Sequence, residues 1–179
     1  MDRRSSIKTL LILSAGAVLL PSCLRSGKSI SVPLKNLTID AEQEDLVAAI
    51  ADTIIPSAPK SPGAADVGAY QFALMMIDDC YSPNDHKQFV QGLNEFDDFS
   101  NKILKTSFTD ATAKQRIDLL KIIETNKDVP ANVSFVYNNI RWQTLRAFTQ
   151  SKYYLTEVQK YVLVPGAFYG CVPVKKQTE

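Results

Sequence analysis

Histidine is almost absent from this sequence, and most routes to side-chain catalysis are absent with it. The 179 residues include one histidine, His86, and three cysteines. A Ser-His-Asp or Cys-His arrangement would have to use His86, whose neighbours Asp85 and Lys87 indicate a solvated side chain. The sequence has no second histidine, no CxxC motif and no CxxCH motif. It therefore lacks the usual ligand sets for zinc and for haem. We therefore expect no catalytic residue, no cofactor-binding residue and no metal ligand.

An excess of charge of one sign is also missing. The formal net charge is +1, and 17 basic and 18 acidic residues remain when residues 1–22 are set aside. A near-neutral chain has no long-range attraction for nucleic acid, so we exclude nucleic acid as a partner. With 45% hydrophobic and 22% charged residues, the composition is typical of one globular domain.

Carboxylates suited to general acid–base catalysis are scarce as well. Adjacent acidic pairs occur at Asp78-Asp79 and Asp97-Asp98. Neighbouring residues on a helix point about 100° apart, so neither pair places an acid and a base on one face. We expect all four side chains on solvated helix surface.

What the sequence does contain is a helical period of apolar residues along almost the whole segment after residue 36. No window alternates apolar and polar residues for long enough to predict a strand. The predicted helices cover residues 40–55, 66–80, 85–105, a segment capped by Thr109 or Asp110, residues 130–148 and residues 156–163. The sequence thus predicts an all-α fold, an irregular bundle of about five to six helices with a proline- and glycine-rich C-terminal tail.

The apolar stripes also predict which side chains form the core. The third helix directs Phe89, Phe96 and Ile103 inward, and the fourth directs Ile117 inward with Leu120 and Ile123. The second helix is apolar nearly all round, which predicts a position in the middle of the fold.

Residues 1–22 are typical of an export signal. Arg3, Arg4 and Lys8 precede an uncharged run over residues 9–20, which is shorter than the roughly 20 residues that cross a bilayer. The segment Arg3–Lys8 resembles the twin-arginine motif, and a general secretory signal stays open as the alternative.

The end of this signal resembles a bacterial lipobox, Leu20-Pro21-Ser22-Cys23. We expect lipidation of the Cys23 thiol, which would anchor the chain in the cell envelope at the periplasmic side of a bacterial membrane. The alternative is an ordinary cleaved signal with a chance cysteine. Residues 23–36 are predicted to form a flexible tether, and residues 37–179 the helical domain.

The C-terminal tail places two aromatics and a thiol on backbone that proline and glycine keep irregular. The predicted partner interface consists of Pro165, Gly166, Phe168, Tyr169 and Cys171. The tail either packs on its own domain or presents these residues to a partner.

Two cysteines remain after Cys23, in a compartment that permits disulfides. Cys80 and Cys171 form a candidate disulfide that would hold the tail on the second helix. Alternatively, Cys171 pairs with another subunit and Cys80 is a buried thiol. We favour the internal bridge.

Both ends of the mature chain resemble the gluconate 2-dehydrogenase subunit 3 family. The residues that carry this resemblance are Ala49-Ile50-Ala51-Asp52-Thr53-Ile54-Ile55-Pro56, Ser61-Pro62-Gly63-Ala64-Ala65-Asp66-Val67-Gly68-Ala69 and Tyr161-Val162-Leu163-Val164-Pro165-Gly166-Ala167-Phe168-Tyr169-Gly170-Cys171-Val172-Pro173. The middle helices match in length and character.

The resemblance implies a small, non-catalytic subunit of a membrane-associated sugar or polyol dehydrogenase. Its partner would be a large FAD-dependent subunit of the glucose-methanol-choline type, often joined by a subunit with haem c. The small subunit would escort the flavoprotein through export, which suits twin-arginine transport. The rival hypotheses are a stand-alone envelope lipoprotein and an enzyme that uses carboxylates in a helical cleft.

Overall fold

The computed structural model describes residues 29–126, 128–164, 166, 170 and 171. Within these residues the chain forms five α-helices and one π-helical turn, and its only strand-like feature is an isolated bridge between Ala58 and Ser61. The helices are α1 (Ala41–Ile54), α2 (Ala69–Cys80), α3 (Pro83–Leu104), α4 (Ala113–Thr125) and α5 (Ala131–Thr149), followed by the π-helical turn Tyr154–Val158. The predicted all-α bundle is confirmed.

Two helices begin where the sequence predicts or close to it. Asp40 caps α1, since its carboxylate accepts the Gln43 N–H (2.8 Å) while the Gln43 side chain accepts the Asp40 N–H (3.1 Å). Ser82 and Asp85 form the same reciprocal pair at α3, with Pro83 in the first turn. Both caps join residues only three positions apart, so they are local features of the sequence.

The start of α4 differs from its prediction. Thr112 caps it, and not Thr109 or Asp110. Residues 107–110 instead form a turn in which the Ser107 hydroxyl donates to Asp110 (2.8 Å). The Arg116 side chain donates to the carbonyls of Phe108 and Thr109. These bonds stabilise the turn, so α4 does not extend back through residues 107–110.

The start of α2 is also later than predicted, at Ala69 and not at residue 66. Gly68 has a left-handed backbone (φ 68°), which breaks the helical path. Upstream, the Asp66 carboxylate accepts the Gly63 N–H (2.8 Å) and the Ser57 hydroxyl (2.6 Å). The loop between α1 and α2, which contains Pro56, Pro59 and Pro62, is therefore closed on itself by Asp66.

Helix α5 lies at the centre of the bundle, because it contacts each of the other helices and the π-helical turn. The prediction that α2 is central is wrong: its apolar Met75 is 42% exposed. Large buried side chains meet between α3 and α5, namely Phe89, Leu93, Phe96, Val133, Val136 and Ile140. Phe96 packs edge-on against Phe108 with ring centroids 5.4 Å apart.

The inward assignments are confirmed for Phe89, Phe96, Leu120 and Ile123, and they are wrong for two isoleucines. Ile103 is 39% exposed, because it lies in the last turn of α3. Ile117 is 40% exposed, because the buried side of α4 is set by Leu119, Leu120 and Ile123.

A glycine permits the close crossing of α3 and α5. A Cβ atom at Gly92 would lie 2.5 Å from a Val136 methyl carbon and 2.7 Å from the Asn132 carbonyl oxygen. Neither distance is sterically allowed, so the two helices meet at this separation only because residue 92 has no side chain.

The packed part of the chain begins earlier than the predicted boundary near Leu37. Val32 and Leu37 are each 3% exposed and belong to the main hydrophobic core. Residues 31–37 are therefore part of the domain, which corrects the prediction of a flexible tether up to residue 36. Hydrogen bonds from this segment to the carboxylates of Glu44 and Asp78 hold it on the bundle.

Candidate functional site

The chain that follows α5 changes from packed helix to exposed, irregular backbone just after the π-helical turn. The backbone N–H of Gln159 donates to the Tyr154 carbonyl (2.8 Å), and that of Tyr161 donates to the Leu155 carbonyl (2.7 Å). Between them Lys160 has a left-handed backbone (φ 51°), which ends the helical path. The sixth predicted helix, residues 156–163, is therefore wrong in extent, since the helical path ends at Val158.

Four consecutive apolar residues follow, and all of them are exposed. The exposed fractions are 55% for Tyr161, 62% for Val162, 80% for Leu163 and 78% for Val164. We call residues 161–164 the exposed C-terminal run. Single exposed apolar side chains are ordinary, but a contiguous group of them marks an interaction surface.

The predicted partner interface continues directly from this run. Gly166 and Cys171 are exposed. Pro165, Phe168 and Tyr169 lie outside the described residues. The structure thus places the described part of the predicted interface on the surface, and contact with a partner stays a prediction.

The cysteine predictions have different outcomes. Cys80 ends α2 and, like Cys171, is a free and exposed thiol, so Cys80 is not the buried thiol of the alternative hypothesis. The Cys80–Cys171 bridge stays a prediction. Cys23 lies outside the described residues, as do the export-signal residues. In the part of the chain that is described, no helix has the length and apolar character needed to cross a bilayer.

Asp78 has a structural role that the sequence did not indicate. Its carboxylate accepts the backbone N–H groups of Lys35 (2.9 Å), Asn36 (2.7 Å) and Leu37 (2.6 Å), and its side chain is 3% exposed. The prediction of a solvated Asp78 is therefore wrong, while Asp79 is exposed as expected. The donors lie about 40 positions away in the chain, so no local pattern identifies them.

The electrostatics of Asp78 follow from this geometry. Burial raises the pKa of the carboxyl group, but the three N–H donors and the nearby His86 together outweigh burial and leave the pKa below its usual 3.8. Asp78 is therefore held as an anion by the segment that it binds. A group in this state is a poor general base, because its affinity for a proton is reduced.

Glu44 on α1 holds the same segment at its other end. The Glu44 carboxylate accepts the Ser31 N–H (2.8 Å) and also the Ser31 hydroxyl. Its side chain is 6% exposed. We call residues 31–37 together with Glu44 and Asp78 the N-terminal clasp. The clasp connects the start of the described chain to both α1 and α2.

His86 contacts backbone and is not fully solvated as predicted. Its Nε2 lies 2.8 Å from the Ile77 carbonyl oxygen, and its side chain is half-buried. The Ile77 carbonyl, in the last turn of α2, also accepts the Tyr81 N–H (3.3 Å), so His86 is its second donor. The contact gives His86 a structural role.

An acidic cleft is the described feature with the most carboxylates, and it suits the rival hypothesis of a carboxylate enzyme best. It has a volume of about 530 Å³ and lies between α1, α3 and the turn before α4; its acidic lining residues are Asp40, Glu42, Asp45, Asp97 and Asp110. Asp40 caps α1, Asp97 accepts the Asn101 amide (3.1 Å) and Asp110 accepts the Ser107 hydroxyl. Among the residues that the structure describes, no three His, Cys, Asp or Glu side chains are grouped to hold a metal ion.

Sequence reasoning did not identify two further apolar surfaces. Trp142, the single tryptophan, is 66% exposed on α5. A groove of about 300 Å³ runs between α1, α4 and α5, with Ile54, Ile117 and Leu145 in its lining. Trp142 does not lie on the helix face that carries the buried Val136 and Ile140. This difference in helical position could have indicated from the sequence that Trp142 is exposed.

The comparisons with known proteins give one match. The family model described as gluconate 2-dehydrogenase subunit 3 matches residues 41–166, which is well over half of the chain. The match begins at α1, extends past the π-helical turn and includes the exposed C-terminal run. No curated protein and no solved structure matches the chain.

Proposed function

Because the chain belongs to the gluconate 2-dehydrogenase subunit 3 family, we propose that it is the non-catalytic small subunit of an FAD-dependent dehydrogenase complex. Its task is to bind a large subunit of the glucose-methanol-choline type, to escort that subunit through export and to anchor it at the membrane. The match over residues 41–166 carries this proposal. FAD, and haem c where a cytochrome subunit is present, belong to the partners.

The geometry of the chain supports a binding role. Asp78 and His86 were both considered as catalytic residues. In the structure their side chains form hydrogen bonds with backbone groups of the chain itself. The surface that stands out instead is apolar, at residues 161–164. Apolar side chains concentrated at one exposed place favour association with another molecule over chemistry on a small substrate.

The export and anchoring parts of the proposal rest on the first 23 residues. Arg3 and Arg4 suit a route that carries folded cargo, which a flavoprotein needs if its FAD is loaded before transport. A lipid on Cys23 would then hold the complex at the periplasmic side of the membrane. The family match begins at residue 41 and does not extend to these residues.

A pull-down from native membranes in mild detergent tests the proposal. The chain carries a C-terminal tag, and the captured material is examined by mass spectrometry and by flavin absorbance. We expect a yellow co-purifying protein of the glucose-methanol-choline type. A colourless monomer under several growth conditions would overturn the proposal and favour a stand-alone lipoprotein.

A matched variant separates binding from anchoring. Cys23→Ser removes the acylated thiol and leaves residues 29–171 unchanged. We expect this variant to lose membrane association while it still captures the flavoprotein. Dye-linked sugar oxidation by the purified chain alone would contradict the non-catalytic assignment.

A further inference from the structure

The exposed C-terminal run lies beyond the packed helices. The last backbone hydrogen bond described from this region back to the domain is that of the Tyr161 N–H to Leu155. Val162, Leu163 and Val164 follow outside any helix, with bends at Leu163 and Val164. The run thus projects its side chains away from the core that the rest of the domain forms.

The residue types of the run favour a β-strand. Tyrosine and valine are among the residues enriched in strands, and both occur here at adjacent positions. Val164 precedes Pro165, which restricts it to extended backbone. Pro165 has no N–H and would end a hydrogen-bonded ladder, while Lys160 ends the helical region on the other side. The run is therefore a strand candidate by residue type, with a defined start and stop, and its bends at Leu163 and Val164 must straighten when it pairs.

A protein partner suits the run better than a lipid surface. Membrane-surface binding usually uses an amphipathic helix with several lysines or arginines on its polar face. The run is not helical, and its near neighbours Glu157 and Lys160 have opposite charges. The family match also extends through the run to Gly166, although the packed helices end before it.

We propose that residues 161–164 hold the large subunit by pairing, as an added strand, with an exposed edge of a β-sheet in that subunit. This inference rests on the proposed function and names the mode of binding. In such pairing the backbone provides affinity, and alternate side chains enter apolar pockets on one side of the strand. Tyr161 and Leu163 therefore face one side in the complex, and Val162 and Val164 face the other.

Two double variants of the full chain test this alternation. Tyr161→Asp with Leu163→Asp changes one side of the strand, and Val162→Asp with Val164→Asp changes the other. We expect one pair to reduce the captured flavoprotein by at least about tenfold and the other pair by less than about threefold, because a paired strand buries one face more deeply. Helicity is measured for both by circular dichroism and should equal that of the parent chain.

Ile103→Asp is the control, since Ile103 is an exposed apolar residue in the last turn of α3 and not part of the run. It should capture the flavoprotein as the parent does. Equal losses in both double variants, no loss in either, or an equal loss in Ile103→Asp would overturn the strand proposal while the accessory-subunit function stands. If the parent chain captures no flavoprotein, both proposals fail.

A lipid target has its own readout. The same variants, made with Cys23→Ser, are mixed with vesicles of phosphatidylethanolamine and phosphatidylglycerol and separated by flotation. We expect the parent and the variants to stay unbound. Flotation of the parent that is lost in both double variants would assign the run to the bilayer and overturn the proposal.

Discussion

Asp78 is the residue whose side chain holds the segment before α1 on the helical bundle. One carboxylate on α2 accepts three consecutive backbone N–H groups, from Lys35, Asn36 and Leu37. Charged acceptors form stronger hydrogen bonds than neutral ones, and a buried N–H without a partner is unfavourable. The Asp78 carboxylate thus accepts the backbone hydrogen bonds that a helix or a strand would otherwise satisfy in this segment.

Asp78→Asn should lower the free energy of unfolding by about 2–4 kcal/mol, because the amide has one acceptor oxygen and its NH₂ group opposes the N–H donors. Urea denaturation monitored by circular dichroism measures this change. Asp79→Asn is the matched control on the exposed neighbour and should change stability by less than about 0.5 kcal/mol. Equal effects of the two substitutions would contradict the role of Asp78.

The acid sensitivity of the fold should depend on the same residue. Because the pKa of Asp78 in the folded protein is below 3.8, the unfolded chain binds more protons in the pH range just below that value. The stabilisation is complete above pH 3.8 and is lost as the pH falls through the pKa of the folded state. Urea midpoints of the parent should therefore decrease on acidification more than those of Asp78→Asn.

A second carboxylate contributes to this acid response. The Ser57 hydroxyl and the Gly63 N–H lower the pKa of Asp66, against the opposing effect of burial. Asp66→Asn therefore serves as a comparison, with its own share of the acid response. If Asp78→Asn and the parent lose the same stability on acidification, the assignment to Asp78 is wrong.

At the scale of the element, the crossing of α3 and α5 depends on one position. Gly92 lets the backbone of α5 approach at Asn132 and Val136 to a distance that excludes a Cβ atom. Both helices provide much of the buried core, so their separation sets the packing of Phe89, Leu93 and Phe96.

Gly92→Ala should lower the free energy of unfolding by about 1–3 kcal/mol, because the added methyl group contacts backbone as well as the Val136 side chain. The loss exceeds the roughly 1 kcal/mol that alanine contributes to helix propensity. Thermal and urea denaturation measure it, with Lys87→Ala on exposed α3 surface as the control. A stabilised Gly92→Ala protein would show that α3 and α5 are farther apart than described.

At the scale of the whole molecule, the clasp extends the folding unit to residue 31. Deletion of residues 29–36, compared with a chain that begins at Ser29 and carries the same N-terminal tag, should lower the free energy of unfolding by about 3 kcal/mol. The loss combines the burial of Val32 with the hydrogen bonds to Glu44 and Asp78. Denaturation of the two chains measures it, and equal stabilities would place the boundary near Leu37 after all.

Most of the fold could be predicted from the sequence, because helices follow from local periodicity and local caps. The all-α class, the start of α1 near residue 40 and the buried Phe89 and Phe96 are of this kind. The start of α4 was misplaced although its Thr112 cap is local, because Thr109 and Asp110 are also suitable cap residues. The burial of Asp78 was missed because it depends on donors near residue 36.

Less of the candidate site could be predicted. The tail was predicted as a partner interface from its aromatics, and that stays a prediction, while residues 161–163 of the exposed run were assigned to a helix. Exposure is a property of the assembled domain, because residues 161–164 have the same apolar character as core residues. The sequence therefore indicated apolar residues at this end of the chain without indicating that they are uncovered.

The clasp also determines how the domain responds to a mechanical load. If the N-terminal segment is attached to a membrane, any drag on the domain pulls on residue 31 first and then on the bonds to Asp78. The three N–H groups belong to consecutive residues and bind one carboxylate, so they share the force and break nearly together. Such an attachment ruptures in one step at a high force, whereas bonds loaded one after another would break in sequence at a lower force.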